Sequence, residues 1–109
     1  MAECLCFSPP FEFKNFDERH IGTDDRYGDV SIQTCKTCGS TWLHYYQVHD
    51  SFTESGRWYH GLITKDMTRM LKLETAVPIL ENLEWHFIGG SYFRSTGKKV
   101  TGPARIFDI

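Results

Sequence analysis

Residues 41–63 read Thr41-Trp-Leu-His-Tyr-Tyr-Gln-Val-His-Asp-Ser-Phe-Thr-Glu-Ser-Gly-Arg-Trp-Tyr-His-Gly-Leu-Ile63. From Ser40 to Phe52 the chain is rich in Trp, Tyr, Val and Thr, side chains that fit a pleated surface. Glu54-Ser55-Gly56 is a turn signal, and β character resumes over Arg57 to Ile63. A hairpin at 41–63 follows. Its register is open by a residue, and such a slip changes which side chains face each other. Alternation sends Trp42 and Tyr46 to one face and Tyr45 to the other, so both faces carry rings. One face must pack a helix. Exposed Trp and Tyr are typical interaction anchors, which makes Trp42, Tyr45, Trp58 and Tyr59 candidate partner-binding residues. The competing reading is that a small domain poor in Leu and Val fills its core with rings.

After the hairpin, Thr64 stands as an N-cap, Asp66 falls in the first turn, and Ile63, Met67, Met70 and Leu71 share a face. A short helix over about 64–73 is expected. Thr75 is the cap of a second helix over about 76–88. There Ala76, Ile79, Leu80, Leu83 and Phe87 form the apolar stripe, Pro78 is placed in the first turn, and Gly89-Gly90 closes the helix. Tyr92-Phe93, a Thr96-Gly97 turn and Val100 suggest a last hairpin at 91–101. Before the central hairpin, Val30, Ile32 and Thr34 alternate with polar residues and lead into Cys35. Residues 17–29 are polar, with Gly22 and Gly28, and read as a loop. Pro9-Pro10 ends the first cysteine segment, and Phe11, Phe13 and Phe16 suggest a short strand or extended arm. The chain reads as one α+β domain over 1–109 with a mostly antiparallel sheet.

The composition agrees with one core. At 109 residues there is no room for a second comparable one. A hydrophobic content of 40% and a net charge of −2 exclude wholesale disorder. No apolar run reaches the ~18 residues that a membrane-spanning helix needs. The first ten residues lack the basic and apolar regions of a signal peptide, so the expected location is the cytoplasm, where thiols stay reduced. Charge is uneven. Residues 1–34 have seven acids against three bases, whereas residues 91–109 have four bases against one acid. These are two solvated faces, or else a basic C-terminal hairpin that meets an anionic partner.

The four cysteines are the most specific feature. In Cys35-Lys36-Thr37-Cys38-Gly39 the two-residue spacing lets both thiolates reach one centre across a tight turn. The glycine permits a left-handed backbone, so that N–H groups can donate to the sulfurs. Cys4 and Cys6 fall on one side of an extended segment and supply two more sulfurs. Four soft thiolates suit a closed tetrahedral Zn²⁺ site, and a structural zinc on Cys4, Cys6, Cys35 and Cys38 is expected. Redox chemistry at Cys35 and Cys38 competes, but thioredoxin-like pairs open a helix and this pair runs into strand-like residues. Residues 34–43 resemble the knuckle of a zinc ribbon. The Cys4-Leu5-Cys6 half departs from that pattern, with one spacer residue and no following glycine.

The histidines are His20, His44, His49, His60 and His86, and none has metalloprotease spacing. His49 and His60 belong to facing strands near Asp50. They are either hydrogen-bonded strand histidines or the proton-transfer pair of a small hydrolase-type enzyme. No phosphate loop or nucleophile elbow accompanies them. The preferred expectation is therefore a small zinc-binding module that acts on a protein partner, such as an inhibitor or toxin-neutralising protein. The resemblance implies an alternative, a zinc-ribbon-like nucleic-acid binder using Arg94, Lys98, Lys99 and Arg105.

Overall fold

Strong alternation of large side chains along two neighbouring strands gives this protein two buried faces. A computed structural model describes residues 4–7, 11–24, 28–48, 56–102 and 104. Within it the central hairpin is β3 (Thr41–Gln47) and β4 (Arg57–Ile63), and its register sets Tyr45 opposite Tyr59 and His44 opposite His60. Phe52, Glu54 and Ser55 of the expected hairpin lie outside the described residues. On either side are β1 (Phe16–Thr23), β2 (Asp29–Cys35), β5 (Trp85–Gly90) and β6 (Ser95–Thr101). Among the described residues the six strands form one antiparallel sheet in sequence order, β1 to β6. The helices α1 (Lys65–Met70) and α2 (Leu73–Leu80) occupy the β4–β5 connection.

One face carries Val30, Ile32, Leu43, Tyr45, Tyr59 and Ile63, and α2 covers it with Ala76, Val77 and Leu80. Fully burying one such aliphatic chain stabilises by about 1.5–3 kcal/mol. The opposite face carries Phe16, Trp42 and Phe87, and among the described residues neither α1 nor α2 belongs to its cluster. Its cover is the N-terminal arm, through Cys6 with Phe7 and Phe11 packed alongside. The Phe7 ring meets Trp42 edge-on, with centroids 4.9 Å apart.

Several sequence expectations need correction. Residues 17–23, expected as part of a loop, belong instead to the edge strand β1, Phe16–Thr23. Its residues 17–20 are exposed and polar, so it lacks the alternation of a half-buried strand, and charges on an edge discourage pairing with other chains. The turn out of β1 is closed by Gly28, whose N–H donates to Asp24 Oδ1 at 2.8 Å. A Cβ on Gly28 would lie 2.1 Å from Tyr45 Cζ, so the ring's approach demands glycine.

The expected helix over 76–88 is the second correction. Helix α2 ends at Leu80, and Trp85–Gly90 is strand β5. Phe87 and Ile88 face opposite sides and are both buried, so β5 shows no alternation between apolar and polar residues. Leu80, Leu83 and Phe87 imitate helical spacing while belonging to different elements. Pro78 lies inside α2 rather than in its first turn. Thr75 does not cap it from outside either, for its Oγ1 accepts from the Lys72 N–H one turn earlier, at 2.8 Å. Thr64 does cap α1, since Met67 N–H donates to its Oγ1 at 3.2 Å. The final hairpin is β5–β6 with its turn at residues 91–94, not at Thr96-Gly97. Sheet therefore dominates the α+β architecture.

Candidate metal centre

The Cys35–Cys38 turn forms where β2 passes into β3. Cys35 N–H donates to Ser40 O and Gly39 N–H to Cys35 O, both at 2.9 Å, closing a tight loop around residues 36–38. Gly39 takes φ +79, a left-handed value that favours glycine. The opposing pair comes from a 3-10 turn at Leu5–Phe7, in which Phe7 N–H donates to Cys4 O at 2.9 Å. That turn, rather than the expected extended segment, brings the Cys4 and Cys6 sulfurs together. Lys36 N–H donates to Asn15 O at 2.9 Å, which binds the arm's second turn to the Cys35–Cys38 turn.

All four Sγ atoms lie within 4.8 Å of one another. Cys4 and Cys35 sulfurs are 3.5 Å apart, as are those of Cys6 and Cys38, and all four cysteines are free. Tetrahedral Zn–S bonds of about 2.3 Å require S···S separations of about 3.8 Å, so the set fits an ion with little movement. Cys6 and Cys35 are buried, Cys4 is half-buried and Cys38 is exposed.

The thiols differ in acidity. For Cys38, the Ser40 side chain, with its hydroxyl 3.1 Å away, and the Ser40 backbone favour the thiolate and lower the pKa to about 6. Burial raises Cys35, but backbone donors at Cys38 and Thr37 outweigh it and leave the pKa lowered. Cys6 is pushed up, first by burial and then by the Cys38 sulfur. Cys35 and Cys38 are thus predisposed to ligate, whereas Cys6 needs a cation nearby to ionise.

The predicted ring surface is mostly internal. Trp42 and Tyr45 are 0% exposed, Tyr59 is 2% exposed, and Trp58 is half-buried. Tyr45 OH donates to Asp24 Oδ2 at 2.7 Å. Among the described residues, the exposed tyrosine rings are Tyr46 at 38% and Tyr92 at 43%. His49 and Asp50 lie outside the described residues, and the strand partner of His60 is His44. His20 lies 3.7 Å from Asp29 Oδ1 on the exposed edge. Of the basic tail, Lys99 sits over the Trp85 ring at 4.5 Å, and Arg105 lies outside the described residues.

The sequence reading missed a cavity of about 250 Å³ on the arm-covered face, lined by Phe11, Phe16, Gln33, His44, Trp58 and His60 among others. Once Tyr45 is set opposite Tyr59, alternation alone places His44, Trp58 and His60 on this face. Among the described residues no helix is long and apolar enough to cross a membrane. Comparison of the chain with protein-family models, curated proteins and solved structures gives no match.

Proposed function

We propose that the four thiolates hold one structural zinc ion and that the stapled sheet works as a protein-interaction module. The observation that carries this reading is the set of four sulfurs within 4.8 Å, drawn from two segments 31 residues apart. Four thiolates fill a tetrahedral shell and leave no position for substrate, so zinc would act as a tether and not as a Lewis acid. Its chemistry is to keep the cysteines ionised and close the arm over the aromatic face. The knuckle is then of the zinc-ribbon kind, and a reducing, cytoplasmic setting keeps the thiols available.

With the ring cluster of β3 and β4 serving as core, the interaction surface passes to Tyr46, Val48 and Tyr92, the exposed large apolar side chains outside the helices among the described residues. Exposed tyrosines suit a protein partner, of which a toxin or an enzyme to be inhibited is one kind. The test is affinity purification of the zinc-loaded chain from its native host, beside a Tyr46→Ser/Tyr92→Ser double variant. A stoichiometric protein retained by the parent chain and lost by the folded variant supports the reading. Equal retention by both, or no stoichiometric protein, overturns it.

A further inference from the structure

His60 is 1% exposed, and neither ring nitrogen has a hydrogen-bond partner among the described residues. Two rings stack against it, Phe11 with centroids 4.4 Å apart and 28° between planes, and Trp42 at 4.4 Å and 15°. His44 stands edge-to-face with it at 5.9 Å, and its buried Nδ1 also lacks a partner. Both histidines line the 250 Å³ cavity, together with the buried Gln33 and the rings of Phe11, Phe16, Tyr46 and Trp58. Leaving a buried polar group unpaired costs about 1–3 kcal/mol, so three such nitrogens on two side chains that line one cavity call for something to pair them.

We propose that this cavity is a binding site for a small, flat, uncharged heterocycle that presents a hydrogen-bond donor beside an acceptor, the chemistry of a nucleobase. The space would hold about eight waters at ~30 Å³ each, which is room for one single- or double-ring heterocycle. Half-buried Trp58 and Phe11 give the ligand aromatic walls. Each neutral imidazole offers one N–H and one lone pair, which matches a donor and an acceptor on one edge. Neutrality follows from burial, which lowers His44 to about 4 and takes His60 well below its ordinary value. Surroundings that expel a proton from imidazole also disfavour a cationic ligand at the same place. The acid on the rim, Glu12, is already paired with Lys14 at 3.2 Å. Phe11 belongs to the arm that the cysteines anchor, so the staple also sets one wall of this site. The proposal depends neither on which metal is bound nor on a protein partner.

A nucleobase reaches such a site either free or displayed on a single strand, and the experiment separates the two. The zinc-loaded full chain is titrated with adenine, uracil, a short single-stranded oligonucleotide and tetramethylammonium, read by tryptophan fluorescence and calorimetry. Saturable binding of a free base, weakened about tenfold or more in His60→Leu and in His44→Phe, supports a free-base site. Tighter binding of the oligonucleotide with the same loss in both variants supports a strand-borne base. His44→Phe carries the test if His60→Leu does not fold. Absence of binding by both bases and the oligonucleotide, equal affinity in parent and variants, or preference for tetramethylammonium overturns the proposal.

Discussion

Acidification should weaken this fold through His44, and by a calculable amount. The imidazole has an ordinary value of 6.5 and about 4 in the folded chain, lowered by burial and opposed in part by Glu18 and Asp29. Between those two values the unfolded chain takes a proton that the folded chain refuses. Stability is therefore complete above the unfolded value and falls as pH drops from about 6.5 to about 4. The full span corresponds to about 3 kcal/mol. By about pH 5.5 roughly 1.3 kcal/mol of it is lost relative to neutral pH, and solvent at the half-buried ring trims that toward 1 kcal/mol. For a domain of this size the midpoint falls by about 4–6 °C. The assay is thermal unfolding of the zinc-loaded chain at both pH values beside His44→Gln, with zinc content measured in each sample. The parent should lose about 1 kcal/mol more than the variant. Equal losses, or an NMR titration placing His44 at or above 6.5, would refute the reasoning.

Three further outcomes are expected. Gly28→Ala sets a Cβ 2.1 Å from the buried Tyr45 ring and should destabilise by about 1–3 kcal/mol in urea unfolding. Leu80→Ala, at a 0% exposed position under the sheet, should cost about 2.7–5 kcal/mol by the same assay. Cys35→Ser removes a buried sulfur of the four-cysteine cluster, so on the proposed reading the variant should bind zinc far more weakly and unfold at much lower temperature, as read by metal analysis and calorimetry.

The elements most legible in the sequence were those bounded by clear turn and cap signals or marked by a fixed spacing. Arg57 to Ile63 was bounded correctly because Gly56 precedes it and Thr64 caps the next helix. Cys35, Cys38 and Gly39 were readable because a tight turn between two ligands restricts residue choice, and the structure brings the expected Cys4 and Cys6 to the same cluster. Residues 16–23 and 85–90 were misread for opposite reasons. The first strand is polar on an exposed edge, whereas the second is apolar on both faces, so neither alternates in a way the sequence can reveal. The site on the arm-covered face was hidden by register. His44 meets His60 only because Tyr45 lies opposite Tyr59, and that pairing depends on long-range packing which local propensity does not encode.

One number decides whether the arm is held by metal: zinc per folded chain, counted by native mass spectrometry on protein purified at neutral pH under reducing conditions. The expected result is one zinc ion per chain, released by a strong chelator together with the cooperative unfolding transition. A folded chain carrying four reduced thiols and no metal, with unfolding unchanged by the chelator, would contradict it.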